Sequence, residues 1–94
     1  MGAEVVGIGE LIVASADRYG GWPCISGKGY PVALVAIAHA EGASPEEIVV
    51  EQPQLTPAEG YAALAYYFLN KTVIDEQIAV DAAAFESERA RLSR

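Results

Sequence analysis

One helix-start signal occurs twice in this chain, twelve residues apart, and it constrains the fold more than any other feature. Ser44-Pro45-Glu46-Glu47 and Thr56-Pro57-Ala58-Glu59 each join a capping hydroxyl, a first-turn proline and a glutamate three residues on. The hydroxyl can accept from the amide of the third helical residue, while that residue's glutamate reaches back to the cap amide. Proline costs nothing at the first helical position, because an N–H there would have no intrahelical partner. Two helices are therefore expected to start at Pro45 and Pro57, with only Gln52-Pro53-Gln54 to turn between them. The first is short, Pro45 to Glu51, and the second runs from Pro57 to about Asn70. Short helix, tight turn, longer helix is the outline of a helix-turn-helix. Leu55 can staple the entrance of the longer helix. Tyr61, Leu64, Ala65 and Phe68 fall at the spacing of one buried face, so Tyr61 and Phe68 are expected inside.

The flanks complete the outline. Pro31 opens an earlier helix, and Val32 to Ala40 is apolar nearly all round, which predicts burial; Gly42 ends it. Ahead of it, Val5 to Val6 and Leu11 to Ala14 read as two short strands, or as one strand with a bend. Tyr19 to Pro23 reads as a glycine-rich loop, and Cys24 to Ser26 as a short returning strand closed by Gly27-Lys28-Gly29. Downstream, a last helix from Asp75 to Leu92 carries a narrow apolar stripe made by Ile74, Ile78, Ala82 and Phe85. The expected architecture is mostly α and a single domain over residues 1–94. Residues 1–30 would form short strands and loop, 31–71 a three-helix core, and 72–94 a terminal helix.

Charge then narrows the partners. The chain carries six basic and thirteen acidic residues, a net charge of −7, and the acids gather from Glu41 onward. Nucleic-acid affinity normally comes from a basic stripe that displaces counterions from phosphate. The bases here are scattered, at Arg18, Lys28, Lys71, Arg89, Arg91 and Arg94, so any such contact must be local. Lys28, Tyr30 and Lys71 are the candidates for it. The longest apolar run, Pro31 to Ala40, is too short to cross a bilayer and no leader is evident, which together predict a cytoplasmic protein. The lone Cys24 has no second thiol for a bridge or a shared metal, and a buried hydrophobic role suits it.

Catalytic signals are weak. Gly27-Lys28-Gly29 lacks both the first glycine and the closing hydroxyl of a phosphate loop, and Gly7 and Gly9 lack the third glycine of a dinucleotide fingerprint. His39, the single histidine, sits in the last turn of an apolar helix, where its ring can serve a free carbonyl. The carboxylates sit in caps or on solvated faces. No cofactor and no metal is implied, and the chain is not expected to be an enzyme. The aromatics Tyr61, Tyr66, Tyr67 and Phe68 suit a core and an interface better than a stacking platform for bases. Trp22, in its glycine-rich loop, is either a lid over the core or an anchor for a partner.

Four segments in order carry a resemblance. Gly20-Gly21-Trp22-Pro23-Cys24-Ile25-Ser26-Gly27-Lys28-Gly29-Tyr30-Pro31-Val32, Ser44-Pro45-Glu46-Glu47-Ile48, Pro53-Gln54-Leu55-Thr56 and Ala63-Leu64-Ala65-Tyr66-Tyr67 together resemble the domain-of-unknown-function family 433. The resemblance implies a homeodomain-like helical fold behind a small strand region, and an antitoxin role beside a PIN-like ribonuclease. This chain departs from the family at Gly27-Lys28-Gly29, where an arginine usually stands. Lysine offers a point charge there in place of a bidentate fork. Glu59 at the start of the second capped helix would also repel a DNA backbone.

The expected function is therefore an antitoxin-like binding protein, homodimeric, engaging a cognate ribonuclease through Ile78, Ala82 and Phe85 of the terminal helix, with Trp22 a further contact. The alternatives are a helix-turn-helix DNA-binding regulator and a stand-alone dimeric scaffold.

Overall fold

The computed structural model describes residues 7–14 and 21–92. The strand expected at Val5 to Val6, the first residues of the loop at Tyr19, and Arg18 and Arg94 lie outside them. The described residues form a short 3-10 helix (Ile8–Leu11), three two-residue strands and five α-helices. Strands β1 (Ile12–Val13), β2 (Cys24–Ile25) and β3 (Tyr30–Pro31) make one antiparallel sheet in that order. Ile12 faces Ile25, and Cys24 faces Pro31. The turn between β2 and β3 needs positive φ at Gly27 (77°) and Gly29 (65°), a conformation in which L side chains are strained.

Pro31 was expected to open the first helix as its first residue. It is instead the N-cap residue, with extended φ/ψ, and is still part of β3. Proline supplies no amide to the sheet, so it fits the edge strand, and its successor Val32 donates to the Pro23 carbonyl at 2.9 Å. Helix α1 (Val32–Ala40) then buries Val32 to Ala36 in succession, as its unbroken apolar sequence predicts. It ends at Glu41, with Gly42 at φ 100° just beyond.

Both start signals form as expected. Ser44 accepts from the Glu47 amide at 3.2 Å and Glu47 accepts from the Ser44 amide at 2.8 Å. Thr56 and Glu59 repeat both distances. Helices α2 (Pro45–Glu51) and α3 (Pro57–Leu69) follow, joined by a turn in which Leu55 is buried.

The buried face of α3 is not the expected one. Gly60, Ala62, Ala63 and Tyr67 are inside, while Tyr61 and Phe68 are about half exposed. Helix α3 is apolar on nearly every side, so periodicity alone does not choose its face; backbone approach does. A Cβ added at Gly60 would stand 3.3 Å from the Cβ of Pro45, showing how closely α2 and α3 pack.

The terminal helix is two helices, α4 (Lys71–Val80) and α5 (Ala82–Leu92). Asn70 and Asp81, at φ/ψ of −127°/34° and −107°/31°, interrupt the helical path without any glycine or proline. The break lets α5 turn back and place Phe85 in the main core with Ile25, Val35, Tyr67 and Ile74. No helix among the described residues is long and apolar enough to cross a membrane.

Candidate functional site

The residues expected at a partner surface separate once folded. Phe85 is 1% exposed and its ring lies 3.9 Å from that of Trp22, centroid to centroid, at 30°. Trp22 is half-buried against the same core. The stripe's largest side chain is thus spent on the chain's own interior, which corrects its assignment as a partner contact; Trp22 acts as the lid that covers it. Ile78 is half-buried and Ala82 is exposed, so these two keep a face to solvent.

The suggested nucleic-acid contacts do not converge either. Tyr30 is buried in β3. Lys28 reaches across to α3, donating to the Gln54 carbonyl and to Glu59 at 3.0 Å. Burial raises the Glu59 carboxyl, but the Thr56 amide and the Lys28 ammonium outweigh it and hold the group below its usual range. Lys71 is paired with Asp75 at 2.8 Å, and its nitrogen lies 5.8 Å from the centre of the Tyr67 ring. Arg89 binds Glu41, and Arg91 binds Glu88. All four described cations are therefore engaged by the chain's own carboxylates, a pattern opposite to a phosphate-binding stripe.

Two surface features remain. One is apolar: Leu69 is 83% exposed, Val73 66% and Val80 82%, on α4 and the end of α3, and Phe68 lies beside them with its ring edge-on to His39 at 5.4 Å. Of the acids on α4, the exposed Glu76 falls on the same side as Val73 and Val80 by helical spacing, whereas Asp75 turns to Tyr67 and Lys71. Sequence periodicity drew attention to the opposite face of α4, because Ile74 and Ile78 match a core stripe; the exposed run would have shown only as apolar residues left over.

The other feature is a cleft of about 410 Å³ between α1, α2 and α5. Its lining combines aliphatic groups from Leu34, Ile48 and Leu92 with Tyr30, Glu41, Glu47, Glu51, Gln52 and Arg89. Burial raises the Tyr30 hydroxyl above the ordinary phenol range, Glu51 adds to the rise, and Arg89 opposes it. Gln52 closes one end: its amide donates to the Leu92 carbonyl at 3.1 Å and its oxygen accepts from Gln54 at 3.1 Å. Among the described residues, no three histidine, cysteine or carboxylate side chains converge in a geometry that would hold a metal. Cys24 is buried, and burial pushes its thiol up to about 11, with Glu88 a lesser cause; such a group stays a thiol at neutral pH.

Comparison with known proteins agrees with this architecture. The chain matches no curated protein. It is similar to a solved structure, the crystal structure of a DUF433 member protein from Anabaena variabilis. The two share 30% identity at a TM-score of 0.68, over 74% of this chain and 69% of that one. The family model described as "Protein of unknown function (DUF433)" matches residues 12–67, from β1 to the buried Tyr67 of α3, which is more than half of the sequence. The chain belongs to the DUF433 family.

Proposed function

We propose that this protein is an antitoxin-like binding partner of a PIN-like ribonuclease, working in the cytoplasm by contact and without turnover. One observation carries the reading. Every described cation is neutralised within the chain, while Leu69, Val73 and Val80 stay open to solvent on a chain of net charge −7. Such a surface suits a protein whose own groove is basic, as an RNA channel is, because apolar area and complementary charge act together there. With Phe85 inside, the docking face moves from the expected stripe to the other side of α4.

Pairing of two copies belongs to the same proposal. The described chain is small, β1 and β3 have no further strand beside them among the described residues, and Tyr61 and Phe68 offer aromatic surface on α3. Light scattering on the purified chain checks it, with a dimer expected.

A homeodomain-like regulator that binds DNA is the second reading, favoured by the succession α2, turn, α3. Its difficulty is local: α3 opens on Glu59, and the nearest lysine is already held by it. Co-purification of the tagged chain with the product of an adjoining ribonuclease-like reading frame tests the first reading, and a complex is expected. A promoter fragment retarded at low salt by the chain alone would favour the second. A chain that pairs with itself and with neither of these would be a stand-alone scaffold.

A further inference from the structure

The cleft between α1, α2 and α5 is concave and of the size that small groups occupy. Its polar groups are unequally used. Arg89 is committed to Glu41, with Glu86 at 3.9 Å. Glu47 spends one carboxylate oxygen on its cap and keeps the other. Glu51 makes no hydrogen bond or ion pair to a described residue. Tyr30 is 93% buried by its neighbours, being 7% exposed, and its hydroxyl has no partner among the described residues. Among the described residues no fully buried side-chain polar atom lacks a bond, so that oxygen is not sealed in, and Tyr30 is one of the residues that line the cleft.

Free acceptors therefore outnumber free donors, around an aliphatic floor made by Leu34, Ile48 and Leu92. An anion would meet three glutamates with the one arginine already taken. A metal ion would find no convergent set of ligands. A compact cation with three N–H donors on an apolar stem matches both the acceptors and the floor.

We infer that the cleft binds an alkylammonium group, and that its source is a lysine side chain of the protein partner. The cation and stem are set by the cleft itself; only the source rests on the proposed function.

The test is titration of the 15N-labelled full chain with Nα-acetyl-lysine N-methylamide, followed by amide chemical shifts. Saturable shifts at Tyr30, Leu34 and Glu51 are expected, with half-saturation on the order of 1–10 mM, the weak affinity of a single side chain. The Nε-acetylated compound, which lacks the charge, should give none. Glu51→Gln should weaken binding about five-fold or more, and Tyr30→Phe about two-fold, by analogy with the loss of one charged or one neutral hydrogen-bond partner. Shifts that fail to saturate and spread over Glu46, Glu76 and Glu86 would overturn the site, as would unchanged binding by Glu51→Gln. Spermidine binding ten-fold tighter in the same cleft would overturn the assignment to a protein side chain. Absence of a ribonuclease complex, by contrast, would sink the proposed function while leaving the lysine titration to decide the cleft.

Discussion

The first three helices and the last two hold to the molecule in different ways. Helix α1 buries five consecutive side chains, and α3 buries Gly60, Ala62, Ala63 and Tyr67. Helices α4 and α5 bury one each, Ile74 and Phe85. Helices α2 and α3 also begin with complete capping boxes, whereas Asn70 makes no side-chain cap for α4. Buried contact is thus concentrated in α1 to α3 with the small sheet, and α4 and α5 form an arm held by two buried side chains and by polar ties such as Arg89 to Glu41 and Gln52 to the Leu92 carbonyl. On that arm Val73 and Val80 stay outside, continuing the exposed run that Phe68 and Leu69 begin at the end of α3.

The sharpest way to break this division is Phe85→Ala. It removes the larger pin and empties the space beside Trp22, so the loss should be about 3–5 kcal/mol, read by chemical denaturation. Trp22 is the single tryptophan, and its fluorescence should shift at the same time. A separate early transition for the arm would sharpen the contrast, while a single transition would mean that arm and core unfold together. Gly60→Val comes next and acts within the core. Its branched side chain meets Pro45, where even a Cβ is tight, and the expected cost is about 1–3 kcal/mol by the same assay. Thr56→Ala removes one half of a capping box and should cost about 1 kcal/mol.

Smaller effects test the electrostatics and the exposed face. Lys28→Met removes the tie between the β2–β3 turn and α3 and should cost about 0.5 kcal/mol near pH 7, because the lysine is partly in solvent. The Glu59 carboxyl is held low in the folded chain. The stabilisation is therefore present above its unfolded value of 4.5 and disappears as pH falls through the folded one. Wild type and variant should accordingly converge in acid, which pH-dependent melting curves would show. The double change Leu69→Glu and Val73→Glu should alter stability least, within about 0.5 kcal/mol, since both side chains are in water. Its effect belongs to binding: the proposed ribonuclease complex should be lost.

How much of this was legible in the sequence depends on the kind of signal. Capping needs particular residues at particular spacings, so α2 and α3 began where Ser44 and Thr56 place them. The order of short strands before helices was also visible, and the mostly helical class with it. The face of α3 was not, because Tyr61 through Leu69 is apolar at every position and only the closeness of Gly60 to Pro45 decides which side turns inward. Strand β3 was missed because a proline reads as a helix start, although it can serve equally as an edge-strand residue before a helix. The break at Asp81 carries no breaker residue at all. It arises because Phe85 gains more by entering the core than a straight helix would allow, a tertiary choice that local sequence does not encode. Misreading that break also misplaced the candidate contact surface, since Phe85 was the strongest residue in the expected stripe. The cleft joins residues as distant in sequence as Tyr30 and Leu92, so no local pattern announces it.

Hydrogen–deuterium exchange on the chain, free and bound to the proposed ribonuclease partner, tests the division between core and arm most directly. The prediction is new protection over residues 68–80, with Pro57 to Ala63 at the start of α3 unchanged. Protection confined to those first two turns of α3, or none in α4, would contradict it.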